Sequence, residues 1–184
     1  MGLFGIFGKK EAGNVTEPKN DTERWLVGTY AMWSVYAEGD WRYFAGSKEK
    51  SKPEGASMRV MLRRDWEVNN KETLLDMVSS LTVASGAWEL CRACQILAMG
   101  FVGGYIEREE MVQRSIEIGR VMQRHYHSWT ELYDSYLKGY KDWRSEQGGD
   151  AGKDIAAREE LCYQLRNQLD GPCSVEWNLE LGRA

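Results

Sequence analysis

A chain of 184 residues, 42% hydrophobic and 11% aromatic, is long and apolar enough to bury a core, which excludes disorder of the whole chain. Its 24 basic and 28 acidic residues are interspersed and sum to −4, so there is no extended positive field to hold phosphate backbones, and no nucleic-acid partner is expected. No apolar run approaches the roughly 20 residues a membrane-spanning helix needs, and the N-terminus lacks an export signal's apolar region and cleavage site. A cytoplasmic location is the expectation.

Residues 1–19 open MGLFGIFGKK and continue in Gly, Asn, Thr, Glu and Pro, the composition of a flexible tail. Leu3, Phe4, Ile6 and Phe7, followed by Lys9 and Lys10, could make a weak peripheral contact with an anionic membrane surface, but Gly2, Gly5 and Gly8 weaken any helix there. Local packing of the tip is the alternative. Asn20 and Glu23 have capping-box spacing, and Leu26, Tyr30, Trp33 and Ala37 then share a face, predicting one helix to about Glu38. Gly39 ends it, and Asp40 can cap a short segment carrying Trp41, Tyr43 and Phe44. GSKEKSKPEG at 46–55 reads as a loop, and 57–66 as a short helix with Met58, Met61 and Leu62 inward. Asn69 and Glu72 repeat the capping-box spacing ahead of a stripe of Leu74, Met77, Val78 and Leu81.

The stretch from Gly86 to Trp143 reads as three consecutive amphipathic helices around which the rest packs. The first is apolar nearly all round, through Trp88, Leu90, Cys91, Leu97, Met99, Phe101 and Val102, and is predicted to be buried. Glu89, Arg92 and Gln95 stand in it; Glu89 and Arg92, three apart, can pair along the helix, and such a pair either fixes helix register or lines a pocket. Gly100, Gly103 and Gly104 permit a sharp turn, after which Glu107, Glu109 and Glu110 suit a helix N-terminus. Ser128 with Glu131 caps the third helix, whose Trp129, Leu132, Tyr136 and Trp143 lie toward one face. A last helix is expected over 153–169 through Ile155, Leu161, Leu165 and Leu169, stopped by Gly171 and Pro172. Beyond it Val175, Trp177, Leu179 and Leu181 alternate with Ser174, Glu176, Asn178 and Glu180, the period of a strand. In an all-helical protein such a segment either lies across the bundle or adds to a partner's sheet.

The chemistry-bearing residues are few. Cys91 and Cys94 form C-x-x-C, yet they sit past the first turn of an apolar helix, where small core cysteines are ordinary and thiols stay reduced. Cys162 and Cys173 do not supply zinc spacing, and His125 and His127 point to different sides of a helix end, so no metal site and no cofactor are expected. There is no G-x-S-x-G, P-loop or dinucleotide-binding glycine motif.

Trp88-Glu89-Leu90 with Arg92, Gly104-Tyr105-Ile106, an acidic helix, then Ser128-Trp129 with Glu131, Tyr136-Leu137, Gly139 and Trp143 together resemble domain-of-unknown-function family 1266, bacterial proteins that include YbeR and YbeU. Upstream, Trp66-Glu67-Val68 with Glu72 and Leu74 extends the likeness to roughly residues 25–143. Tyr140 departs from the family's Arg after the Gly, and Glu107 from its helix-capping Ser. The resemblance implies a bacterial, mostly helical, cytoplasmic domain and no known reaction.

The expectation is therefore one all-α domain, an irregular bundle of six to seven helices over 20–170, with tails at 1–19 and 171–184. The preferred function is a non-catalytic protein-binding or accessory module, immunity-like by analogy, using an aromatic-rich face. Its candidate surface residues are Glu89, Arg92, Gln95, Ser128, Trp129, Glu131, Tyr136 and Trp143, with Val175, Trp177, Leu179 and Leu181 as a partner strand. The alternative is a small enzyme or small-molecule binder with a pocket around Glu89 and Arg92.

Overall fold

The computed structural model describes residues 15–182; the apolar tip at Leu3–Phe7 and the basic pair after it lie outside the described residues. The described residues form an all-helical fold of eight α-helices: α1 Asp21–Gly28, α2 Ala31–Tyr36, α3 Lys52–Trp66, α4 Lys71–Ala84, α5 Ala87–Gly103, α6 Arg108–His125, α7 Trp129–Glu146 and α8 Ala151–Asn167. A 3₁₀ turn at Phe44–Gly46 follows α2. The count exceeds the expected six to seven because the first helix is broken in two. Thr29 turns its hydroxyl onto the Leu26 carbonyl (2.7 Å), and the Gly28 carbonyl is taken by the Tyr133 hydroxyl (2.8 Å), so the helical ladder loses acceptors at its weakest residue.

Three other boundaries differ from expectation for local reasons. The last four residues of the expected 46–55 loop are helix, since Ser51 caps the Glu54 amide and Pro53 sits in the first turn, where its missing N–H costs nothing. The cap of α4 is Asn70, not Asn69: Asn70 accepts from the Thr73 amide while the Thr73 hydroxyl accepts from the Asn70 amide, a complete capping box. Helix α8 ends two residues early, and Leu169, expected inward, is 88% exposed.

Helix α5 is the axis of the packing, touching α3, α4, α6 and α7. It is buried from Ala93 to Gly103, as its all-round apolarity predicts. Glycines let it approach its neighbours: a Cβ at Gly100 would stand 2.5 Å from Leu74 of α4, and one at Gly55 of α3 would stand 3.1 Å from the Val102 carbonyl. The Gly104 turn, in the left-handed region at φ 81°, reverses the chain into α6.

Residues 15–19 are held to α6 by Arg108, which is 7% exposed. Its guanidinium donates to the Val15 and Glu17 carbonyls (2.7 Å each) and to the Glu23 carboxylate (2.6 Å), and lies over Phe44. Burial of this cation is tolerable because a carboxylate and two carbonyls surround it.

The C-terminal residues 171–182 form no strand among the described residues. The alternation in the sequence nevertheless appears as burial: Trp177 and Leu181 are buried and Val175 and Leu179 half-buried, while Ser174, Glu176, Asn178 and Glu180 are exposed. The carbonyls of this segment are met by side chains instead of a neighbouring strand. Trp129 Nε1 donates to Val175 (2.7 Å), Trp25 Nε1 and Gln123 Nε2 to Trp177 (3.1 and 2.7 Å), Gln123 Nε2 to Leu179 (2.9 Å) and Arg120 to Leu181 (2.8 Å). The segment is a strap across the helices. Its inward side chains and the carbonyls of Val175, Trp177, Leu179 and Leu181 are thus engaged within the chain.

Candidate functional site

The first turns of α5 carry the polar residues singled out in the sequence. Gly86 caps the helix without a side chain, and the Glu89 carboxylate folds back over it, toward the amide end where the helix dipole favours an acid. Glu89 therefore does not close on Arg92. Among the described residues Arg92 makes neither an ion pair nor a hydrogen bond; its guanidinium lies 4.4 Å over the Trp66 ring and 4.6 Å over the Trp88 ring. Burial pulls the Arg92 pKa below its ordinary value, and the Glu89 carboxylate acts in the opposite direction.

Trp88 continues the aromatic array. Its ring centroid is 5.0 Å from Tyr136, 5.5 Å from Tyr140 and 5.8 Å from Trp143, all on α7. The approach needs Gly139, where a Cβ would come 2.5 Å from Trp88 Cβ. Trp143 is 41% exposed, and Trp66 and Trp88 are half-buried, so indole surface from three helices reaches solvent along the array that Trp88 joins. A second guanidinium extends the series inward. Arg158 of α8, only 5% exposed, lies 4.0 Å over Tyr36 and 4.7 Å over Tyr140 and donates to the Tyr136 hydroxyl at 2.9 Å. Its Nε has no partner, and no carboxylate pairs with it among the described residues. Rings from α2, α3, α5 and α7 thus alternate with guanidiniums from α5 and α8, and both cations rest on π-faces instead of carboxylates. Burial raises the Tyr136 pKa despite the opposing pull of Arg158, so this phenol stays a neutral acceptor.

The expected surface residues divide between this face and other places. Glu89, Arg92, Tyr136 and Trp143 are brought together here, with Tyr136 beneath the surface. Gln95 is buried one turn further along, its amide pointing at the Met99 sulfur (3.7 Å). Ser128 and Glu131 are committed to capping α7: the Ser128 hydroxyl accepts from the Glu131 amide (3.1 Å) and the Glu131 carboxylate from the His127 amide (2.7 Å). Trp129 is buried against Trp25 and Trp177, with centroids 5.0 Å away in both cases. Sequence reasoning misses Trp66, Trp88, Tyr36, Tyr140 and Arg158 as members of the array. For Arg158 a signal exists, because it falls on the Cys162–Leu165 stripe, and both of those are buried.

The thiols are poor nucleophiles. Burial pushes Cys91 well up and raises Cys94 and Cys162 to about 12 and Cys173 to about 11, so thiolate is scarce at neutral pH. Among the described residues no group of three His, Cys, Asp or Glu is placed to hold a metal ion. Two grooves of about 650 and 640 Å³ open elsewhere, one between α1 and the strap and the other beside α2 and α3, and neither includes Glu89 or Arg92.

Fold and face together define an all-helical protein with a half-open aromatic–guanidinium surface and, among the described residues, no helix long and apolar enough to cross a membrane. A family model described as a protein of unknown function (DUF1266) matches residues 82–179, from the end of α4 into the strap, and the chain belongs to that family. No curated protein and no solved structure matches it.

Proposed function

We propose that this protein is a non-catalytic binding module of the bacterial cytoplasm that docks a protein partner on the face formed by Trp66, Trp88, Arg92 and Trp143. The observation that carries the reading is that Trp66 and Trp88, which hold Arg92, and Trp143, which packs on Trp88, reach solvent beside a cation lacking any carboxylate partner among the described residues. Tryptophan and arginine are the side chains that most often concentrate binding energy at protein interfaces, and here they are already positioned by packing from α3, α5 and α7. In this reading residues 20–170 supply the face and 171–182 strap the helices that hold it. An immunity-like role, in which the face covers a toxin, is one use of such a module. A pocket enzyme built on Glu89 and Arg92 has less support, because Glu89 is turned back over Gly86 and does not close on Arg92.

The test is paired affinity capture from native lysate with the full chain and with Trp143→Ala. A stoichiometric partner retained by the first and lost by the second is expected. A partner retained equally by both would remove this face from consideration.

A further inference from the structure

We infer that the bound partner presents an Asp or Glu side chain edge-on to Arg92, with apolar neighbours of that acid lying on Trp66, Trp88 and Trp143. The inference rests on the binding reading above and adds the chemistry of what is bound.

A guanidinium is planar, and all five of its N–H donors lie in its own plane. Rings engage its faces and leave its edges for hydrogen bonds. Arg92 lies over two indole rings, yet none of its N–H groups has an acceptor among the described residues, and none of its nitrogens is sealed from water. Arg108 supplies the contrast within the same molecule: both of its terminal nitrogens donate, to two carbonyls and a carboxylate, and only its Nε lacks a partner. Arg92 has the same fork, half-buried and unengaged. A charged donor already stripped of part of its water gains most from an incoming anion that accepts two parallel bonds. Carboxylate fits better than phosphate, because the charge acting on Arg92 is the Glu89 anion and not a second cation. A dianion is held best by two or more cations, and one fork beside an anion offers a single positive charge, which a planar monoanion matches in shape and charge. The flanking indoles keep apolar surface open to solvent, so the residues beside the acid should be apolar or aromatic.

The experiment is selection of a displayed library of random short peptides on the immobilised full chain, followed by binding of the enriched peptides to variants. Enriched sequences carrying an Asp or Glu flanked by apolar residues are expected, their affinity falling at least about tenfold for Arg92→Gln and for Trp143→Ala. Arg92→Lys keeps the charge but not the fork and should lose a similar factor, which separates edge-on recognition from simple attraction. Because the acid content is read on the unaltered chain, the test survives a variant that fails to fold. Acid-free peptides, or peptides indifferent to Arg92→Gln yet lost with Trp143→Ala, would overturn the carboxylate assignment and leave the docking face standing. Competition by inorganic phosphate stronger than by acetate would overturn it as well. No enrichment, or enrichment indifferent to both positions, would overturn the inference and the docking face together.

Discussion

The two ends of α7 carry tryptophans with opposite fates, although the helix places Trp129 and Trp143 only about 20 Å apart at 1.5 Å per residue. At the first end Trp25, Trp129 and Trp177 pack against one another, and each indole N–H donates to a backbone carbonyl: Trp177, Val175 and Tyr126 respectively. At the second, Arg92 lies over Trp66 and Trp88 and Trp143 packs against Trp88, and no hydrogen bond engages the three indole N–H groups among the described residues. The first cluster is closed because the strap covers it, and its polar atoms had to find partners when water was excluded. The second stays wet, so its donors can remain unengaged at little cost. Aromatic content alone does not distinguish a structural cluster from an available one; the fate of the indole N–H does.

The comparison predicts unequal sensitivity to mutation. Trp177→Ala should empty the middle of the closed cluster and destabilise the fold by about 3–5 kcal/mol, read as a lower urea midpoint. Gly119→Ala tests the same cluster by crowding: the new Cβ would stand 2.7 Å from Leu181 and 2.9 Å from the Trp25 ring, and a loss of about 1–3 kcal/mol is expected in the same titration. A neutral effect of either would mean that the strap is not needed to close this end.

Alkali should loosen the strap through Cys173, just upstream of Trp177. Burial raises this thiol from its ordinary 9 to about 11. The folded state thus keeps its proton where the unfolded chain loses it, so the contribution is fully present below pH 9 and is lost as pH rises from 9 to 11. Up to about 2 kcal/mol of pH-dependent stability is expected in that window from this thiol, and Cys173→Ala should flatten the profile by that amount. An unchanged profile would show that the half-buried Cys173 thiol is not kept from ionising by the fold.

The smallest effect belongs to the open end. Trp143→Ala should change stability by less than about 0.5 kcal/mol while reducing the fraction of tryptophan fluorescence quenched by acrylamide. A cost as large as that of Trp177→Ala would erase the distinction between the clusters.

Much of the helical frame is legible in the amino-acid sequence, because its signals are local. The Ser128–Glu131 cap occurs as its spacing predicts, and α5 is buried along most of its length, as an apolar circumference requires. The alternation of residues 174–181 likewise marks an inward and an outward set, and burial follows it. What the alternation cannot disclose is its hydrogen-bonding partner: period two says which side chains face in, not whether a strand or the donors of Trp25, Gln123, Trp129 and Arg120 meet the carbonyls. Spacing also allows Glu89 to pair with Arg92, but the bare cap at Gly86 offers the carboxylate the helix terminus instead. Arg108 and Glu23, 85 residues apart, give no local sign of their pairing.

The sequence by itself thus determined that this is an all-helical protein, where most of its helices run, and which side of most of them faces inward, since capping and periodicity are carried by residues within a turn or two of one another. The tertiary structure alone decided which tryptophans are sealed and which are open, and which arginines find a carboxylate and which rest on rings. Those outcomes depend on neighbours brought together from distant helices, and no short-range pattern encodes them.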